Sequence, residues 1–434
     1  MKVALVLRLI LCCLVVSPVA ADDVQTPLIF MGGLGASMMR AQLNRSSVPH
    51  YVCSTHDNDY PLWLYYENLL PLKADCWLDN MRLRWHEGKP DQNEVKVHFI
   101  EKPDTTEDGN GISKGFSKST LWTDLLAAVA DLGYKDDSAH VHALHYDWRL
   151  SIVQLATDGT FARFKARIEA AVAKAGNKPA ILVTLSYAGP IMHAFMSSYV
   201  DAAWKQKFVA RWISLSGTFG GSSELVRIAF YPEGSDFFNV PSLLPYITLE
   251  DARSMSNTFA STFIQWPQFL REDEVLLNVT TADGHQKLYT SQDMGSALID
   301  SGLTEAKAVF EQHKNAYSFH GLPAPGIDVD CIYGVADDTM ASLQFGNGFN
   351  HPATGYVNED GDGVATSRSL RLCGKWQSPH DGGAGSSPSA QVRTHEIPHA
   401  GHGGPLHHKE AVAVFGRIVR EVVKSTTSPV AIQV

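Results

Sequence analysis

Residues 178–185 read KPAILVTL, and the chain continues Ser186-Tyr187-Ala188-Gly189-Pro190. The unbroken apolar and β-branched run that starts at Ala180 predicts a strand buried on both faces, as in a parallel sheet covered by helices. A helix is expected to begin near Pro190. A serine between such a strand and helix suits a nucleophile elbow, in which a sharp turn lifts the hydroxyl above the sheet edge. The positions two before and two after the serine must be small for the backbone to turn that tightly. Here they are Thr184 and Ala188, where Gly is usual, and Gly189 is placed to absorb strain. A serine that merely caps the helix is the other reading of the same residues.

Working outward, short apolar runs alternate with helical patterns. TPLIFM at 26–31 reads as a strand that runs into Gly32-Gly33-Leu34-Gly35. A helix at 121–132, closed by Gly133, precedes a strand at 141–144, and a second helix at 161–175 ends at Gly176. Further strands are expected at 208–215 and 328–333, and a last helix at 410–423. This alternation predicts an α/β fold with a mostly parallel central sheet flanked by helices. Two stretches break the rhythm: 51–97, rich in aromatics, and 222–320, where strand and helix signals mix. Both read as insertions into a core made of 22–50, 98–221 and 321–425, while 382–388 (GGAGSSP) reads as a loop.

The chain has 434 residues, 44% apolar and 19% charged, which suits a globular enzyme with large insertions and excludes disorder. Its net charge is −10 and no Lys/Arg-rich run occurs, so nucleic acid is set aside as a partner. Lys2, an apolar core at 3–16 interrupted by Arg8, and Ser17-Pro18-Val19-Ala20-Ala21 make 1–21 a signal peptide; an uncleaved anchor is the alternative. Cys12 and Cys13 leave with that segment. Cys53, Cys76, Cys331 and Cys373 remain, and an even number in an exported chain predicts two disulfides. Four cysteines allow three pairings, of which Cys53–Cys76 with Cys331–Cys373 is the simplest. No CxxC spacing favours a metal, and no cofactor is expected. Asn44-Arg45-Ser46 and Asn278-Val279-Thr280 have the glycosylation acceptor pattern.

Two further residues complete a candidate triad. Asp362 lies in an acidic turn, Asn358-Glu359-Asp360-Gly361-Asp362-Gly363, after an expected strand. A carboxylate there can orient a histidine and stabilise its imidazolium; a solvated turn is the plainer reading, and no Glu stands where a calcium loop needs one. His402 sits between Gly401 and Gly403, on a loop before the last helix. His395, His399, His407 and His408 crowd the same region, so a histidine-rich surface competes with the reading of His402 as general base. The order Ser…Asp…His is that of the α/β-hydrolases. Gly33, after the first strand, and Tyr187, after the serine, are placed to offer backbone N–H groups to an oxyanion.

Several longer stretches carry a family likeness: MGGLGASM from Met31, LWLYYENLLPLKADCWLDNMRL from Leu62, HYDWRL from His145, TLSYAGP, WISLSGTFGGS from Trp212, GLPAPGIDVDCIYGV from Gly321 and EDGDGVATSRSLRLCGKW from Glu359. Together they span most of the mature chain, which resembles the lecithin:cholesterol acyltransferase family with lysosomal phospholipase A2. The resemblance implies an α/β-hydrolase fold with Ser186 as nucleophile, Asp362 as acid, His402 as base, and Gly33 with Tyr187 as oxyanion hole. It also implies disulfides Cys53–Cys76 and Cys331–Cys373. The first would close a membrane-binding insertion (51–97) that exposes Trp63, Leu64, Tyr65 and Tyr66; without the resemblance, aromatics at those positions read as core. Within the cap (222–320), the stretch 230–248 matches the family's lid by position. The chain departs from the family at Leu185, where His is usual, at Thr184 and Ala188, and at Gly33, where relatives carry a polar residue or Cys.

The expected function is that of a secreted or lysosomal serine enzyme that cleaves phospholipid esters at a membrane or lipoprotein surface. The acyl group would pass to water or to a lipid alcohol such as a sterol; the sequence specifies no activator protein. A neutral-lipid or sterol-ester esterase, and a catalytically silent lipid-binding homologue, are the alternatives.

Overall fold

A computed structural model describes residues 25–63, 65–86, 89–91, 94–99, 121–135, 139–231, 247–268, 270–377 and 390–427. The expected signal peptide, Leu64, the loop at 382–388 and most of the expected lid (232–246) lie outside the described residues.

The strand Ala180–Leu185 is buried at every position. Its side chains alternate between two cores, as period-2 geometry requires: Ala180 and Leu182 face one, Ile181, Val183 and Leu185 the other. Helix Thr160–Lys174 covers the first face with Phe161, Phe164 and Ile168. The long helix Lys409–Thr427 covers the second with Phe415, Ile418, Val419 and Val422. A strand buried on both faces has no place for polar alternation, which is why 180–185 (AILVTL) is apolar but for Thr184.

Around it the central sheet runs in the order Val392–Pro398, Val329–Val335, Val209–Leu215, Ala180–Leu185, Leu28–Met31, Val141–Ala143, with every neighbouring pair parallel. The predicted α/β sheet flanked by helices is therefore the observed one. A four-stranded sheet lies beside it, made of Gln286–Thr290, Val275–Thr280, Asp337–Phe345 and Gly355–Gly361. Two of its strands come from 222–320 and two from 321–425, so these two stretches share hydrogen bonds. A three-stranded sheet joins Met39–Asn44 to His56–Trp63 and Val95–His98. Both expected disulfides form, Cys53–Cys76 and Cys331–Cys373. No helix among the described residues is long and apolar enough to cross a membrane.

At the N-terminal end of the sheet a charged cluster is locked inside. Asp330 is fully buried, with Arg211 Nη1 at 2.9 Å, Arg393 Nη2 at 3.1 Å and His395 Nε2 at 2.9 Å from its carboxylate. Burial alone would push its pKa up; the His395 hydrogen bond and the two guanidinium charges outweigh burial and hold it below the ordinary carboxylate value. A folded-state pKa below the unfolded one gives stability that is present above about pH 4 and lost as pH falls through the folded value. Asp330→Asn removes the buried charge shared by Arg211 and Arg393, leaving Arg211 with Asp328 (3.2 Å) and Arg393 with Glu421 (3.3 Å). It is expected to lower the unfolding free energy by about 1.5–3 kcal/mol at neutral pH, with turnover per folded molecule unchanged, as denaturant titration beside activity will show.

Candidate active site

The strand Ala180–Leu185 ends, Ser186 takes φ +55°, and helix Ala188–Ala194 begins at once. A serine in the left-handed region is strained and persists only where its surroundings impose it. Here the Ser186 amide donates to Leu215 O on the neighbouring strand (2.9 Å), and Ser186 O accepts the Gly189 amide (2.9 Å). Thr184 does not crowd the turn. It is buried against the next strand, where its Oγ1 accepts the Trp212 indole N–H at 2.9 Å. Gly189 has another reason to be glycine than the strain expected of it: a Cβ there would lie 3.0 Å from Gly217 Cα and 3.3 Å from the Phe219 ring.

Asp362 follows the strand Gly355–Gly361 and is buried, and its Oδ1 accepts the amides of Val364 (3.0 Å) and Ala365 (2.8 Å). Its Oδ2 is 2.7 Å from His402 Nδ1, and His402 Nε2 is 2.9 Å from Ser186 Oγ. The His402 side chain keeps 19% of its surface exposed, enough for a substrate to meet it. Burial works against its charged form, yet the Asp362 charge and hydrogen bond outweigh burial and raise its pKa above the ordinary histidine value. The structure thus brings Ser186, His402 and Asp362, far apart in sequence, into one hydrogen-bonded line. The other histidines are placed elsewhere: His395 on Asp330, His399 on Asp337 and His407 on Asp124.

Gly33 lies against Ser186. A Cβ there would fall 2.8 Å from Ser186 Cβ, 3.1 Å from Leu185 O and 3.4 Å from Ser186 Oγ. Tyr187 immediately precedes helix Ala188–Ala194, and its buried hydroxyl donates to Leu150 O at 3.0 Å. Gly33→Ala is expected to push the turn away from its loop and reduce kcat about 100-fold with little change in stability, read from steady-state kinetics and a thermal melt.

Two braces stand behind this loop, and to the first, HYDWRL, the sequence assigns no role. HYDWRL contributes Tyr146, whose hydroxyl donates to Gly32 O (2.9 Å), and a buried Asp147–Arg149 ion pair (2.7 Å). Arg149 also donates to Met81 O (2.8 Å), and its carbonyl accepts the Ser261 amide (3.1 Å). One short motif therefore ties together the 32–35 loop, the 51–97 stretch and the 222–320 stretch. Trp63 is a second brace. Its indole donates to Gly35 O at 2.7 Å, and its ring packs against Trp77 and Trp148 at 6.0 and 4.8 Å. It is packed inward rather than presented to solvent, because the indole finds both an acceptor and an aromatic pocket there. Tyr65 is half-buried and accepts a hydrogen bond from Arg40 at 2.8 Å; nothing is described of the Leu64 and Tyr66 side chains. The exposed apolar residues near the first disulfide are instead Tyr51, Val52, Leu70 and Leu72. Of the two glycosylation triplets, Asn44 is exposed, whereas Asn278 is half-buried in an inner strand with its side-chain oxygen shielded from solvent.

A parallel sheet flanked by helices, with a serine on the turn after a central strand and a histidine and an aspartate lined up behind it, defines the α/β-hydrolase class. Comparison narrows the class. The family model described as lecithin:cholesterol acyltransferase matches residues 60–294 and 271–415, and the chain belongs to that family. It is 28% identical over 365 residues to the phosphatidylcholine-sterol acyltransferase of Rattus norvegicus, covering 81% of this chain and 77% of that one. It is 26% identical over 401 residues to the lysosomal phospholipase A and acyltransferase of Rattus norvegicus (91% and 90% covered), and 25% identical over 423 residues to that of Homo sapiens (96% and 95%). The relatives are enzymes named for acyl transfer and for phospholipase activity.

Proposed function

We propose that the protein is a serine-dependent phospholipid acyl hydrolase with O-acyltransferase capacity, working at a lipid surface. The observation that carries this reading is the hydrogen-bonded line from Ser186 Oγ through His402 to the buried Asp362. Ser186 Oγ attacks the ester carbonyl while His402 Nε2 takes its proton, and Asp362 holds the Nδ1–H and stabilises the imidazolium. The N–H groups of Gly33 and Tyr187 receive the oxyanion, a contribution of about 3 kcal/mol for one such donor. Collapse of the tetrahedral intermediate expels the lysophospholipid alkoxide, which takes the proton from His402 and leaves an acyl-Ser186. Water or a lipid alcohol such as a sterol then gives its proton to His402 and attacks the acyl carbon, and collapse of this second intermediate expels Ser186 Oγ, which takes that proton back from His402.

The lipid surface would be met by the apolar rim of the first disulfide loop. Tyr51 is 89% exposed, Leu70 41% and Leu72 47%, and the Cys53–Cys76 bond keeps them on one short stretch of surface. Two disulfides and the apolar N-terminal segment favour the secretory pathway, with delivery outside the cell or to a lysosomal lumen. The test is incubation with radiolabelled phosphatidylcholine vesicles, with and without sterol. Free fatty acid is expected in both, and sterol ester where sterol is present. Product from triacylglycerol or sterol ester alone would favour a neutral-lipid esterase instead.

A further inference from the structure

The loop that carries His402 has an anchor outside the triad. After the strand Val392–Pro398 it passes twice through the left-handed region, at His399 (φ +56°) and at Gly401 (φ +70°). A non-glycine residue there is strained, and such a loop keeps its shape only when contacts from outside fix it. The His399 amide donates to Val335 O at 2.7 Å, and Ser216 Oγ donates to His402 O at 2.8 Å. The remaining hold is Asp337. Its Oδ2 accepts the Gly401 amide at 3.0 Å, directly before the base, and its Oδ1 stands 3.3 Å from His399 Nδ1.

Asp337 is itself well fixed. It opens the strand Asp337–Phe345, lies opposite Gly361 in the antiparallel ladder and bridges to Asp362. The residue therefore fastens the loop of the candidate base to the strand that delivers the candidate acid. The loop also runs close to the strand Val329–Val335: a Cβ at Gly334 would fall 2.8 Å from Gly401 O and 3.2 Å from Asp362 Cβ.

We propose that Asp337 is a positioning residue that sets the His402 ring at hydrogen-bond distance from Ser186 by holding the Gly401 amide. The inference rests on the triad reading given above. Without that carboxylate the strained loop relaxes and the imidazole drifts from the hydroxyl, and a shift of about 1 Å can cost about 100-fold in rate. Asp337→Ala and Asp337→Asn, made in the full chain beside Ser186→Ala, test it on phosphatidylcholine vesicles and by the rate of fluorophosphonate labelling.

Asp337→Ala is expected to lose about 10- to 100-fold in both kcat and labelling rate, with KM little changed, because base placement acts in the transition state. Asp337→Asn retains an oxygen that accepts the Gly401 N–H and is expected to recover most of the loss. Wild-type kcat in the alanine variant overturns the inference, as does a loss that asparagine does not restore. Should the alanine variant fail to fold, Asp337→Ser, too short to reach the Gly401 amide, takes its place under the same two readings. Turnover retained by Ser186→Ala would bring down the triad reading itself, so the two failures are told apart.

Discussion

Ser186→Ala is expected to reduce phospholipid turnover on the order of 10⁶-fold and to abolish fluorophosphonate labelling. The strained turn exists to lift one oxygen to 2.9 Å from His402 Nε2, and alanine keeps the turn while removing that oxygen. The cost falls on chemistry alone: alanine takes the space of the serine Cβ, so the melting temperature should stay near that of the parent. Measured on vesicles, unchanged lipid release would remove Ser186 as the nucleophile. Retained vesicle binding with no turnover is the expected pattern.

Asp362→Asn is expected to cost about 10⁴-fold in kcat. The local geometry dictates why. The amides of Val364 and Ala365 both point at Oδ1, so an asparagine keeps its oxygen there and turns its NH₂ toward His402 Nδ1. That forces Nδ1 to accept and leaves the proton on Nε2, which then cannot take the proton of Ser186. The pH profile carries a second signature. A raised His402 pKa means that the base form is lost as pH falls through a value above the ordinary histidine range. Removal of the Asp362 charge leaves burial as the dominant influence and lowers that pKa, so the acid limb of the residual activity should move to lower pH. A limb that stays in place would show that Asp362 does not set it.

The elements that position the site are legible in the sequence because each announces itself locally. The strand 180–185 is apolar but for Thr184 since both its faces are covered, and the glycine-rich run after 26–31 marks a close approach to Ser186. What is not legible depends on partners distant in the chain. Thr184 reads as a defect at the elbow until Trp212 on the adjacent strand supplies its hydrogen bond. The family resemblance places Trp63 in a row of exposed aromatics, yet which face of a strand an aromatic takes is decided by Trp77, Trp148 and the Gly35 carbonyl. HYDWRL can be recognised as a motif, but its work lies in contacts to Gly32, Met81 and Ser261 that no spacing within the motif reveals. Asp337 sits in an unremarkable acidic pair, and only the fold brings it under the histidine loop.

The bond between Cys331 and Cys373 spans 42 positions of sequence and encircles Asp362 along with Asp337. Ser186 and His402 both lie outside that ring. Any single backbone scission within it, by a protease in a degradative compartment for instance, opens the ring but severs nothing: both ends remain covalently attached, one through each cysteine. The nicked molecule would run as a single species until a reductant was added, and only then part into two fragments. The candidate acid, Asp362, is thus tethered twice to the rest of the chain, a redundancy that Ser186 and His402 do without.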